Sequence, residues 1–179
     1  GRLAVRRVWI VDPLDGTREF GEPGREDWAV HVALAVDGVP VVGAVALPAR
    51  GLVLGTEPPE PLPPAPTGPI RIVVSRSRPP SVARRVAAAL GAELVPLGSA
   101  GAKGAAVVLG EADAYLHDGG QYEWDSCAPA AVALAAGLVA TRLDGSPLRY
   151  NRPDPYLPDL LIAHPACAPA IRAAIDAPR

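Results

Sequence analysis

Val8-Trp9-Ile-Val-Asp12-Pro13-Leu14-Asp15-Gly16-Thr17-Arg-Glu-Phe20 carries the information that decides how the chain folds. The apolar run Val8–Val11 predicts a short strand that stops at Asp12-Pro13, since proline cannot donate to a ladder and restricts the residue before it. Two carboxylates three residues apart then straddle a Pro-Leu turn. In such a turn Asp12 and Asp15 can point to one side, and the carbonyl of Leu14 can join them. An oxygen-only, partly anionic donor set suits a hard cation such as Mg²⁺, completed by water and a substrate phosphate. Gly16 and Thr17 follow where a helix can start, offering backbone N–H groups and a helix dipole that favour a phosphate oxygen. Gly16 also lets the backbone approach closely. The five residues Asp12–Gly16 alone are equally well explained as a polar turn capped by its own carboxylates.

Outward from this stretch, Trp28–Leu47 holds two apolar runs separated by Asp37-Gly38, a strong hairpin signal, and Gly51–Gly55 can add a third strand. Residues 58–69 are dense in proline and lack periodicity, so they read as a linker between a first half, 1–57, and a second half, 70–179. In the second half, strands are expected at Ile70–Val74, Glu93–Leu97, Ala112–Leu116, Leu138–Leu143 and Leu160–Ala163. Helices are expected at Ser81–Leu90, Ala100–Gly110, Ser126–Ala136 and Pro169–Asp176. Leu148–Tyr150 reads as the return strand of a hairpin turning at Asp144-Gly145. Interleaved strands and helices with antiparallel hairpins give an α/β (α+β) fold of layered mixed sheets.

A second acidic motif lies far along the chain, in Gly119-Gly-Gln-Tyr-Glu-Trp124-Asp125-Ser-Cys-Ala-Pro129, at the entry to an alanine-rich helix closed by Gly137. Asp125 is placed to cap that helix, with Pro129 in its first turn. Capping alone would account for Asp125. Together with Asp12 and Asp15, it also supplies the distant third carboxylate that a second metal ion needs.

These two motifs, in this order, resemble the inositol monophosphatase superfamily of Mg²⁺-dependent, lithium-sensitive phosphatases, over essentially the whole chain from Val8. Asp12-Pro-Leu-Asp-Gly-Thr-Arg-Glu-Phe20, Val74-Ser-Arg-Ser-Arg78, Leu97-Gly-Ser-Ala-Gly-Ala-Lys103 and Asp113-Ala-Tyr-Leu look most like its 3'(2'),5'-bisphosphate nucleotidase (CysQ-type) branch, and Leu143–Asn151 is similar to actinobacterial members. The resemblance implies an αβαβα sandwich, usually dimeric, and hydrolysis of the 3'-phosphate of phosphoadenosine phosphate. Sister activities on inositol-1-phosphate or fructose-1,6-bisphosphate share the scaffold. It implies that Asp12, Leu14 (through its carbonyl), Asp15 and Asp125 bind two or more Mg²⁺ ions, for which Mn²⁺ can substitute. Asp12, Asp15 and Thr17 take the catalytic roles. Leu14, Asp15, Gly16, Thr17, Ser99, Asp118 and Asp125 line the substrate position, and Arg76, Arg78 and Lys103 are candidates for a second phosphate. The family also carries a glutamate pair and N-terminal helices upstream of the Asp-Pro motif, for which 1–179 has no equivalent. With no Met and a start at Gly1, the chain reads as a piece whose beginning lies elsewhere. A truncated product that only binds metal or phosphate is the rival from another class.

Composition narrows the partners. Net charge is −2 with no basic cluster, which argues against a nucleic-acid polymer or membrane surface, and no run of 18 apolar residues predicts a span. Cys127 and Cys167 form no disulfide framework, favouring a reducing cytoplasm, and read as small buried residues. Trp9, Trp28 and Trp124 are expected as packing anchors. His31, His117 and His164 are scattered and carry no expected role.

Overall fold

The computed structural model describes residues 1–177. In chain order its elements are β1 (Arg7–Asp15), α1 (Thr17–Phe20), β2 (Ala29–Val36), β3 (Val39–Leu47), β4 (Leu52–Gly55), β5 (Arg71–Ser75), α2 (Ser81–Leu90), β6 (Glu93–Leu97), α3 (Ala100–Val108), β7 (Ala114–His117), β8 (Gln121–Tyr122), α4 (Glu123–Ala135), β9 (Val139–Thr141), β10 (Tyr156–Leu157), β11 (Leu160–Ala163) and α5 (Ala168–Asp176). Asp37 (φ 50°) and Gly38 (φ 77°) are both left-handed, as a two-residue hairpin turn matched to strand twist requires. β1 to β4 therefore form a meander, an antiparallel sheet in the order β1-β2-β3-β4.

The second sheet runs β6-β5-β7-β11-β9. β5 is parallel to β6 and β7, because α2 and α3 provide the crossovers; β11 is antiparallel to β7 and β9. Helices α3 and α4 lie between the sheets, and α2 packs with α5 on the far side of the second sheet. The mixed, layered α/β class expected from the sequence is what the chain adopts. Residues 58–69 are irregular, and the segments on either side of them share one core. Ile10, Ala33, Val45 and Leu54 from one side meet Val73, Ala105 and Val132 from the other.

The middle helical layer can be thin because its residues are small. All nine residues of α3 are buried and most are Ala or Gly, and α4 contributes Ala128, Ala130, Ala131 and Ala133. Gly43 of β3 sits directly against α4: a Cβ there would stand 2.9 Å from Ala131 Cβ and 3.1 Å from the Ala128 carbonyl oxygen. Gly43→Ala should therefore overpack the joint and destabilise the protein by about 1–3 kcal/mol, read as a lower denaturation midpoint at unchanged m-value.

Two expectations are corrected here. Leu148–Tyr150 is not a strand. The Tyr150 N–H donates to the Gly38 carbonyl (3.0 Å) and its hydroxyl meets Ser126 Oγ (3.1 Å), so this segment straps the first hairpin to α4. Trp9 is no packing anchor. It is 63% exposed on the outer face of the first sheet, beside exposed Val11, Val32 and Val53.

Candidate metal centre

β1 does not stop at Asp12-Pro13 as expected; it continues to Asp15. It can do so because it is an edge strand, where the missing N–H of Pro13 costs no ladder bond. Asp12 pairs with His31 and Asp15 with Ala29, three steps along β1 against two along β2. That extra residue is a bulge. In a regular strand residues 12 and 15 would face opposite sides. The bulge turns both carboxylates inward, leaving Asp12 9% and Asp15 7% exposed.

The third carboxylate comes from α4, by a route that differs from expectation. The helix begins at Glu123, so Asp125 is not its N-cap and Pro129 lies inside it, beyond the first turn. Tyr122 is the N-cap, and Asp125 Oδ2 accepts the Tyr122 N–H at 2.6 Å. Asp125 fixes the helix start from the third helical position, as in a capping box. One carboxylate oxygen of each of Asp12, Asp15 and Asp125 lies within 4.8 Å of the others.

Each carboxylate is held from behind. Asp12 Oδ1 accepts the Leu14 N–H at 3.1 Å. Asp15 Oδ2 accepts the Ser99 hydroxyl and the Gly101 N–H (2.7 Å). His31 Nε2 stands 3.4 Å from the same oxygen, while its Nδ1 is 3.0 Å from the Trp124 carbonyl. A carbonyl only accepts, so Nδ1 carries the hydrogen, and the ring ties β2 to the helix turn bearing Asp125. Burial pushes the Asp125 carboxyl up to about 6, with the charges of Asp15 and Asp12 adding to it, and burial raises Asp12 as well. Three converging, partly dehydrated carboxylates raise one another's cost of ionisation. A divalent cation relieves that repulsion, and an all-oxygen set is the one a hard cation takes. These residues fit such an ion.

Around the triad lies a cavity of about 580 Å³, lined among others by Asp15, Thr17, Ser99, Arg78, His117 and Asp125. Gly16 is left-handed (φ 82°) at the start of α1, and the Thr17 hydroxyl donates to the Leu14 carbonyl at 3.4 Å. Ser99 reaches the site through Asp15. Asp118 does not line the cavity: its Oδ2 accepts from Ser81 Oγ and the Val82 N–H, both 3.4 Å, at the start of α2. The three basic candidates Arg76, Arg78 and Lys103 all line this cavity, and two of them are already held by protein groups. Arg76 is bound by Glu19 (2.7 Å) and Glu22 (2.6 Å), and Lys103 is buried with its ammonium on the carbonyls of Gly98 and Ser99. Arg78 lines the same cavity wall.

Several contributors escape a reading of the sequence. Asp27 holds the Gly98 N–H at 2.6 Å and is itself held by Arg25. Glu19 packs so closely on Gly98 that no Cβ fits there. His117 is kept neutral, pulled down to about 4 by burial and by the charge of Lys103. The glycines in Gly98-Ser-Ala-Gly101 were the available signal, since close approach is what glycine permits.

The model of the inositol monophosphatase family matches residues 3–59 and 65–176. The 3'-phosphoadenosine 5'-phosphate phosphatase of Mycobacterium tuberculosis is 56% identical over 97% of this chain and 68% of its own length. The enzyme of the same name from Mycobacterium leprae is 52% identical over 95% of this chain and 67% of its own. Among solved structures, CysQ from Bacteroides thetaiotaomicron superposes with a TM-score of 0.75 at 28% identity, over 91% of this chain and 72% of that one. With its acidic triad in place and nearly its whole length matched, this chain belongs to the inositol monophosphatase family.

Proposed function

We propose that the chain forms the metal- and phosphate-binding part of a Mg²⁺-dependent phosphomonoesterase that removes the 3'-phosphate of 3'-phosphoadenosine 5'-phosphate. The observation that carries this reading is the converging triad of buried Asp12 and Asp15 and partly buried Asp125 at the edge of the cavity. The 56% identity to a phosphatase of that name supports the substrate. Asp12, Asp15 and Asp125, with the Leu14 carbonyl, would hold the cation or cations. Bound there, such ions supply positive charge against the phosphate oxygens and help deprotonate an attacking water.

The chain's own groups do the rest. The backbone N–H groups of Gly16 and Thr17 face the phosphate, and the Thr17 hydroxyl, within reach of the Leu14 carbonyl, orients the water. Water oxygen attacks phosphorus as the bond to O3' breaks, and the ribose oxygen leaves with a proton. Arg78 stands where a second phosphate can be held. The same reading takes Mg²⁺ with Mn²⁺ as substitute, a homodimer, and a reducing cytoplasm, in keeping with two free, buried cysteines. No described helix is long and apolar enough to cross a membrane.

The test is phosphate release with Mg²⁺ from 3'-phosphoadenosine 5'-phosphate, inositol-1-phosphate and fructose-1,6-bisphosphate. The expected order of kcat/KM puts the nucleotide first, by at least about tenfold over inositol-1-phosphate, which lacks the second phosphate and so one ionic contact. A preference for either sugar phosphate overturns the substrate assignment. Silence toward all three overturns the activity.

A further inference from the structure

Lys103 is an outlier in its own helix. α3 is otherwise Ala, Gly and Val, all nine residues are buried, and Lys103 is 5% exposed. A lysine is almost never buried this far unless it is paired, and packing alone would be served by an apolar side chain. Among the described residues it forms no ion pair. Its ammonium instead donates to two backbone carbonyls, those of Gly98 and of Ser99 (2.7 Å).

Gly98 and Ser99 are consecutive. In an extended chain their carbonyls would point in opposite directions, so one ammonium could not bind both. Here Ser99 lies at φ 24°, ψ 134°, outside the favoured regions for a residue with a side chain. Such a conformation persists only where its surroundings over-determine it. Three groups do so at this turn: Asp27 on the Gly98 N–H, Lys103 on the two carbonyls, and Asp15 on the Ser99 hydroxyl. The consequence is felt at Asp15. With the turn held, the Ser99 hydroxyl and the Gly101 N–H both aim at Oδ2, which leaves Oδ1 free of either donor.

We infer that Lys103 is a positioning residue for the metal site: its ammonium locks the Gly98–Ser99 turn, which orients Asp15 so that one carboxylate oxygen is presented to the cation. This rests on the triad holding a divalent cation, as proposed above. It is distinct from a role of Lys103 in touching substrate phosphate, and also from a simple charge effect. Removing a positive charge near a cation site should by itself tighten cation binding. Loss of positioning should loosen it.

Those opposite signs make the test. Mn²⁺ binding to the protein without substrate is followed by the electron paramagnetic resonance of free Mn²⁺, for wild type, Lys103→Met and Ser99→Ala, with circular dichroism as the check on folding. The expected result is a Kd for Mn²⁺ raised roughly 10–100-fold in Lys103→Met, the range found when a group supporting a metal ligand is removed. Ser99→Ala should weaken binding in the same direction, and the double variant should be little worse than the worse single one, because both act through one turn. KM for the phosphate ester at saturating metal should stay within about threefold of wild type. If Lys103→Met does not fold, Lys103→Gln, whose amide can donate to one of the two carbonyls, should give an intermediate loss. Unchanged or tighter Mn²⁺ binding in a folded Lys103 variant overturns the inference while leaving the site intact. A raised KM with normal Mn²⁺ affinity does the same in favour of direct substrate contact. If wild type itself binds no Mn²⁺, the metal site and this inference fall together.

Discussion

Asp15→Asn is expected to lower kcat for phosphate release at saturating Mg²⁺ by at least roughly 10³-fold, about 4 kcal/mol of lost transition-state stabilisation. The amide is the same size as the carboxylate, so the fold should stay close to intact. Its chemistry is wrong in either orientation. With the amide oxygen toward the Ser99 hydroxyl and the Gly101 N–H, the NH₂ group takes the place of the oxygen offered to the cation. With the NH₂ group turned the other way, it meets those two donors head-on. The Ser99 hydroxyl, which accepts the Ala102 N–H at 3.0 Å, has a second lone pair and could turn to accept, but the Gly101 N–H can only donate, so its clash with the NH₂ group stays unrelieved. Steady-state kinetics beside thermal unfolding of both proteins would check this. An Asp15→Asn protein that turns over at the wild-type rate would remove Asp15 from the site.

Much of this site was legible because its parts are local in sequence. The hairpin at Asp37-Gly38 and the stop of α2 at Gly91 (φ 62°) follow from single residues that tolerate left-handed backbone. Asp12 and Asp15 could be paired on chemistry alone. The means of pairing them could not be read, because a bulge is a relation between two strands. Only when three residues of β1 are set against two of β2 do the two carboxylates share a face. The sequence puts the start of the helix carrying Asp125 at Ser126, three residues late, for a similar reason. Its N-cap Tyr122 is a poor capping type, and the backbone N–H of that cap is bound by Asp125 from inside the helix.

The supporting groups were the least visible part. Asp27 stands 71 residues from the Gly98 N–H it holds and His31 stands 93 from the Trp124 carbonyl, whereas Lys103 reaches back only five residues to the Gly98 carbonyl. A lysine in an alanine-rich stretch reads as a solvated side chain until the layer above it is known. Asp118 shows the converse. The family resemblance implies a place for it at the substrate position, yet its carboxylate accepts from the start of α2, whose first backbone donors need an acceptor.

The metal-free protein should be made more stable by Asp125→Asn at pH 8. The carboxyl of Asp125 is pushed up to about 6 in the folded protein from an ordinary 3.8, by burial first and by Asp15 and Asp12 next. Its folded pKa is therefore above its unfolded one. The favourable contribution of its protonated form is complete below about pH 4 and is lost as pH rises through 6, so at pH 8 the ionised group weighs against folding. Two pKa units correspond to about 3 kcal/mol at most, and partial solvation of the group reduces the expected effect to about 1–2 kcal/mol. Asparagine removes the charge and can still accept the Tyr122 N–H through its amide oxygen. In EDTA at pH 8 the variant should thus melt roughly 2–8 °C above wild type, and the gap should close near pH 4. Saturating Mg²⁺ should reverse the order, since wild type gains the free energy of binding the cation and the variant, lacking one ligand, gains far less. A variant less stable than wild type in EDTA at pH 8 would show that Asp125 is already compensated by the protein itself. An order that Mg²⁺ leaves unchanged would show that the strain among these carboxylates serves no cation.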